Sequence, residues 1–237
     1  MAIARDTNGY SSATQGSGVG DSLTLSHIIG SGSNRLLVVA VTISWSGSQT
    51  SDSVTWNGTA LTKRAEIAES GYGGSTHIWT LTNPASGTYN VVANYTTDGG
   101  SGGSKKVVAI GYTGVDQTTP IDNTATSTGN SVYPHVYSIT TTADNCWAFV
   151  TDMHRTDGGE GLPTASTNAT VIETGAPQGN GCFDNQGYGD ITPAGSFGMT
   201  IAATNTLSTT QWVSAEIAMA PAVSTATDNA IAFGMNF

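Results

Sequence analysis

The sequence predicts an all-β fold: an antiparallel sandwich of two sheets, built as a jelly roll and followed by a short C-terminal tail. Three observations predict it. About a dozen short segments alternate apolar and polar residues between clusters of Gly, Ser, Asn and Pro. No stretch repeats its apolar residues at the helical period of 3.6. Between two alternating segments stands Asn57-Gly58, a pair that tolerates positive φ and so favours a tight hairpin.

The segment from Arg35 to Trp45 is the central strand of this reading. It opens as the unbroken apolar run Leu36-Leu37-Val38-Val39-Ala40, which suits burial on both faces, and then alternates through Val41-Thr42-Ile43-Ser44, which suits one wet face. Residues 1–20 are rich in Gly, Ser and Thr and read as an N-terminal arm. Residues 21–221 form the sandwich, opening with Leu23 and Leu25 on one face of a first strand. His27 shares their parity and reads as a satisfied core-edge histidine.

Ser53–Trp56 and Thr59–Thr62 form the hairpin around Asn57-Gly58, and strands follow at 77–82, 88–95 and 105–112. A turn-rich connection at 114–120 leads into a polar stretch ending at Asn130. Segments 136–140 and 146–153 read as a pair, and further strands lie at 169–173, 197–202 and 211–219. Residues 154–161 and 179–190 read as polar loops. Residues 222–237 form the tail, whose apolar Ile231, Phe233, Met235 and Phe237 are expected either to fold back on the domain or to pack into a neighbour.

Charge narrows the function. The 237 residues carry 7 Lys+Arg against 17 Asp+Glu, a net charge of −10, which opposes phosphate neutralisation and argues against nucleic-acid binding. No apolar run approaches the roughly 20 residues of a membrane-spanning helix, and no polybasic patch favours a membrane surface. The first residues lack the apolar core of a secretory signal, so assembly in the cytoplasm is expected. Cys146 lies in an apolar run and reads as a buried thiol, with pairing to Cys182 left open.

Candidate chemistry is sparse. Glu216 lies in the last strand and Glu66, Glu160 and Glu173 lie elsewhere, so two converging carboxylates are not evident and no catalytic residue is assigned. The four histidines, His27, His77, His135 and His154, sit in no paired metal motif, and no metal site is assigned. The acidic segments 157–160 and 184–190 offer oxygen ligands that could hold calcium, without EF-hand spacing; no other cofactor is expected. Trp45, Trp56 and Tyr72 are the aromatic candidates for stacking on a sugar.

Four segments carry a likeness: Ser26–Val39, Val54–Thr62, Trp79–Thr88 and Gly114–Pro120. They resemble β-sandwich proteins of tailed phages and environmental bacteria, over roughly residues 20 to 220. The resemblance implies a non-enzymatic virion protein, such as a capsid decoration, head-fibre or tail-associated component. It would be assembled in the host cytoplasm and exposed on the virion surface. The partners it implies are capsid or tail proteins of the same particle and further copies of the chain, as in a trimer. A lectin-like module binding host or environmental glycans is the alternative.

Overall fold

A computed structural model describes residues 1–15, 21–44, 51–68, 74–95, 104–129, 135–155, 163–168, 170–174, 181–203 and 212–223. Among them run β1 (Ala4–Gln15), β2 (Ser22–Ile29), β3 (Leu36–Ile43), β4 (Ser51–Trp56), β5 (Thr59–Ala60), β6 (Thr62–Ala68), β7 (Ser75–Thr82), β8 (Gly87–Tyr95) and β9 (Lys105–Thr113). There follow β10 (Ile121–Gly129), β11 (His135–Thr140), β12 (Cys146–Arg155), β13 (Pro163–Thr167), β14 (Thr170–Thr174), β15 (Gly181–Ile191), β16 (Ser196–Ala203) and β17 (Trp212–Met219). The described residues contain no helix, and the ladders are antiparallel, as expected.

The strands build four sheets, ordered β1-β9-β3-β7-β6, β2-β8-β4-β5, β10-β17-β12-β15-β14 and β11-β16-β13. The second pair of sheets repeats the first. Replacing β1, β9, β3, β7 and β6 by β10, β17, β12, β15 and β14 reproduces the five-stranded sheet, and β2, β8 and β4 correspond to β11, β16 and β13. Where a single sandwich is expected over residues 21–221, the chain thus folds as two sandwiches of one topology in tandem. Early strands in each half alternate between the two sheets.

Three cores stack these sheets in four layers. Leu37, Val39, Val41, Ile43 and Val107 pack on Leu25, Val54, Trp56, Val91 and Tyr95 inside the first sandwich. Ala148, Val150, Trp212 and Ala218 pack on Tyr137, Ile139 and Met199 inside the second. Between them the two five-stranded sheets meet: Leu36, Val38, Ala40, Val108, Ile110 and Tyr112 face Phe149, Ala215, Ile217 and Met219. The Tyr112 and Trp147 rings cross there edge to face, 6.2 Å between centroids. These are matching faces of matching sheets, since Val108, Ile110 and Tyr112 hold in β9 the places of Ala215, Ile217 and Met219 in β17.

This central layer corrects several expectations. All eight residues of β3 are buried, because the face expected to be wet by Thr42 meets the second sandwich, where Thr42 and Thr76 hydroxyls each lie 3.2 Å from that of Thr151. Residues 4–15, expected in the arm, form the edge strand β1, and the polar stretch after Pro120 forms its counterpart β10. Edge strands need only one apolar face, so hydroxyl-rich sequence suffices. Segments 136–140 and 146–153 are not partners, since β11 pairs with β16 while β12 pairs with β15 and β17.

Residues 181–191, expected as a Gly-rich loop, form β15 between β12 and β14. Gly189 has a packing reason: a Cβ there would lie 2.2 Å from the Trp147 ring. The same ladder settles the cysteines. Cys146 lies opposite Ile191 and Cys182 opposite His154, so at about 3.3 Å per residue they stand at opposite ends of the strand pair, far beyond disulfide reach. Cys146 is a buried free thiol.

The hairpin is as the sequence predicts, with Asn57 and Gly58 at φ 48° and 77° and Trp56 opposite Thr59. The connection between the sandwiches is tied to the segment that follows β17, which also meets Met1. Val115 bridges Pro221, Asp116 N donates to Ala220 O at 2.9 Å, and the Met1 ammonium donates to Ala222 O at 2.6 Å. The tail residues Ile231, Phe233, Met235 and Phe237 lie outside the described residues.

Phe149 is fully buried where the sandwiches meet. Phe149→Ala is expected to cost about 3–5 kcal/mol. In urea, tryptophan fluorescence and far-UV circular dichroism are expected to report one coincident transition in both proteins, because one central core serves both halves. Two separated transitions would contradict the shared core.

Candidate functional site

The densest group of chemistry-bearing side chains lies inside the second sandwich, at the His154 end of β12. Alternation along each strand puts them on one face. β11 contributes His135 and Tyr137, β12 contributes Asp152 and His154, and β17 contributes Trp212, Ser214 and Glu216. All seven are buried.

Asp152 is the hub. His135 Nδ1 lies 2.9 Å from its Oδ2, the Tyr137 hydroxyl donates to the same oxygen, and His154 Nδ1 lies 3.5 Å from Oδ1. The His135 ring stacks on Trp212 at 4.8 Å and 20°, and Tyr137 meets Trp212 edge-on at 5.5 Å. Gly129 makes room for this indole, since a Cβ there would lie 2.5 Å from Trp212 Nε1. Four residues along β17 from Trp212, Glu216 Oε1 accepts from Ser214 at 2.7 Å and from Ser127 at 3.0 Å, while its Oε2 has no hydrogen-bond partner.

Electrostatics separate the two carboxyl groups. Burial alone would raise Asp152, but the charge and hydrogen bond of His135, joined by His154, outweigh it and hold the group below the usual carboxylate range. Burial pushes Glu216 up to about 6, with the Asp152 charge adding and the two serine hydroxyls opposing. The cluster combines two imidazoles, a carboxylate and a phenol, a donor set able to relay a proton or hold a cation. The described surface hollows lie along Ile191–Phe197 and beside Met1, Asn145 and Pro221, towards the Cys146 end of β12.

Along the sequence His135 and His154 stand apart and belong to no contiguous metal motif. The fold brings them together across two sheets, with ring centroids 5.5 Å apart. The available signal was local: Asp152-x-His154 and His135-x-Tyr137 each place two polar residues on the inward parity of a strand. The other histidines stay in the first sandwich. His77 lies 3.0 Å from Ser75 Oγ and 3.5 Å from Glu66 Oε1, and His27 Nδ1 lies 2.9 Å from Ser11 Oγ.

The remaining candidates do not converge. Trp56 is 1% exposed, edge-on to His27 and Tyr89 in the first core, so its ring faces protein rather than a sugar. Its parity as the last inward residue of β4, beside the hairpin, explains the burial. Trp45 and Tyr72 lie outside the described residues, as do residues 157–160 of the acidic segments considered for calcium; residues 184–190 belong to β15. Glu66 is on the first sandwich, paired with Lys63 at 2.7 Å, whereas Glu216 points into the second. Two comparisons bear on identity: no protein-family model matches this chain, and no curated protein matches it.

Burial lowers His27 from 6.5 to about 4, against the pull of Asp6. A depressed histidine contributes stability that is full above the unfolded value of 6.5 and is lost as pH falls towards 4, because the unfolded chain binds the proton first. His77, lowered to about 4 chiefly by burial, acts in the same direction. Urea unfolding at pH 7 and pH 4 is expected to show His27→Leu losing about 3 kcal/mol less than the parent protein between the two. An equal loss would show that His27 is not held neutral.

Proposed function

We propose that this chain is a non-enzymatic structural protein of a tailed-phage particle, a capsid decoration, head-fibre or tail-associated component carried on the virion surface. The observation that carries the proposal is the doubled sandwich. Two copies of one topology, joined through a filled core, make a block that holds its shape and supplies repeated edges for neighbours. The segments of the phage resemblance fall at structural joints: the turn from β2 to β3, the hairpin from β4 to β5, the turn from β7 to β8 and the connection between sandwiches.

Two features favour docking on a lattice. Edge strands β1 and β10 are equivalent in the two halves and are lined by Ser, Thr, Asn and Ala. β10 carries no Lys, Arg or Pro of the kind that discourages edge pairing. The carboxyl group of Glu216, the acid in the last strand, is enclosed in the second sandwich, where a glycosidic bond would not reach it.

The test uses particles of a phage that encodes the chain, purified by density gradient and analysed by quantitative mass spectrometry. The expected result is the chain at a fixed copy number per particle. Deleting residues 224–237 is expected to leave the circular dichroism of the purified protein unchanged and to abolish its attachment to particles lacking it. Absence of the full chain from purified particles would overturn the proposal; normal attachment of the truncated chain would overturn only the role given to the tail.

A further inference from the structure

The first sandwich shows what this fold needs at the places of the buried cluster. Val41 and Ile43 of β3 lie opposite Val107 and Lys105 of β9, just as Asp152 and His154 of β12 lie opposite Ser214 and Trp212 of β17. By the same register Ala109 stands where Glu216 stands, and Ala13 of β1 where Ser127 stands. Leu23 and Leu25 are among the residues that β2 turns inward, as β11 turns His135 and Tyr137. In β3 and β9 the first half thus carries Val41, Ile43 and Ala109 where the second buries Asp152, His154 and Glu216, although it buries His27 and Lys105 elsewhere in the same sandwich. Burying such groups costs desolvation that well-packed apolar residues avoid.

The second sandwich also encloses a polar atom with no partner. Among the described residues Asp152 has His135, Tyr137 and His154 as partners, and Glu216 has Ser127 and Ser214. Glu216 Oε2 is buried with no hydrogen bond.

We infer that His135, Asp152 and His154 are the protein ligands of a divalent transition-metal ion of the zinc class, which joins the two sheets of the second sandwich. One donor atom from each of the three lies within 4.8 Å of the others. Tetrahedral zinc with ligands at about 2.0–2.1 Å sets its donors roughly 3.4 Å apart, so modest rotamer adjustments close the set. Two imidazole nitrogens favour zinc over calcium or magnesium, which take oxygen. The Tyr137 hydroxyl orients the Asp152 carboxylate, and the Trp212 indole stacked on His135 keeps water away. His135 comes from one sheet and the other two ligands from the facing sheet, so the ion is a cross-link. The second sandwich gains most from one: its core has Ala148 where the first has Leu37, and its outer sheet has three strands rather than four.

The full chain, stripped with chelator, is titrated with ZnCl2 by calorimetry and melted with and without Zn2+, Ca2+ or Mg2+. The expected result is one Zn2+ per chain and a melting temperature raised by roughly 5–10 °C at a hundredfold excess over Kd, with no shift from Ca2+ or Mg2+. Co2+ in place of Zn2+ is expected to give the visible absorption of a tetrahedral site. The variant carrying His135→Leu, Asp152→Val and His154→Ile, which copies the apolar pattern of the first sandwich, is expected to fold and to lose all three responses. If it does not fold, His154→Gln decides, with affinity lowered by about tenfold or more. The inference is overturned if the parent chain takes up no Zn2+, if Ca2+ produces an equal shift, or if the substituted chain binds Zn2+ as the parent does.

Discussion

The packing of Leu36, Val38, Ala40 and Ile110 against Phe149, Ala215 and Ile217 is the contact on which the rest of the molecule depends. A five-stranded sheet with one apolar face can stand at the surface of a single sandwich. Here both faces of β3, β9, β12 and β17 are buried, so each half presents a second apolar face that water must not reach. Each large side chain on that face contributes about 1.5–3 kcal/mol when covered. The unpaired faces together would exceed the few hundred Å2 of contiguous apolar surface that monomers usually expose. The two halves thus stabilise each other, and the joint is reinforced where Val115 bridges Pro221 and Met1 meets Ala222.

That shared face leaves the two remaining cores free to diverge. The first is a mainly apolar core whose polar-edged members include Trp56, Trp79, Tyr95 and His27. The second keeps the strand order but replaces apolar inward residues by Asp152, His154, Ser214 and Glu216. Ring stacking and hydrogen bonding hold this group together, and the serine hydroxyls soften the cost of burying Glu216. One chain therefore contains both versions of the same fold. The comparison between them separates what the topology requires from what has been added to it.

Much of the first half was legible in the sequence because its strands carry strong β-formers and its turns carry Asn and Gly. The run Leu36–Ile43 marks a central strand, and Asn57-Gly58 marks a hairpin, through local rules that tertiary contacts leave intact. The second half was harder to read. β10 and β15 are built from hydroxyls, amides and glycines whose strand conformation comes from partners on adjacent strands, so propensity points to loop. Thr42 and Thr151 look like wet positions, yet they bond to each other across the central layer. The duplication left only traces, such as Asn83-Pro84-Ala85-Ser86-Gly87 and Thr192-Pro193-Ala194-Gly195-Ser196 at matching turns. Asp152, His135 and His154 escaped notice because metal and catalytic motifs are sought along the chain, and here the donors meet across sheets.

A block of four stacked sheets with two equivalent hydroxyl-lined edges suits a protein whose work is to keep a shape and to meet neighbours. Its mechanical unity rests on the central layer, and producing residues 1–117 alone tests that layer most directly. Sedimentation velocity and dye binding on this half are predicted to show self-association through the bared face of β3 and β9, or aggregation with strong binding of an apolar dye. A soluble monomer that binds no dye and unfolds as cooperatively as the whole chain would contradict the account.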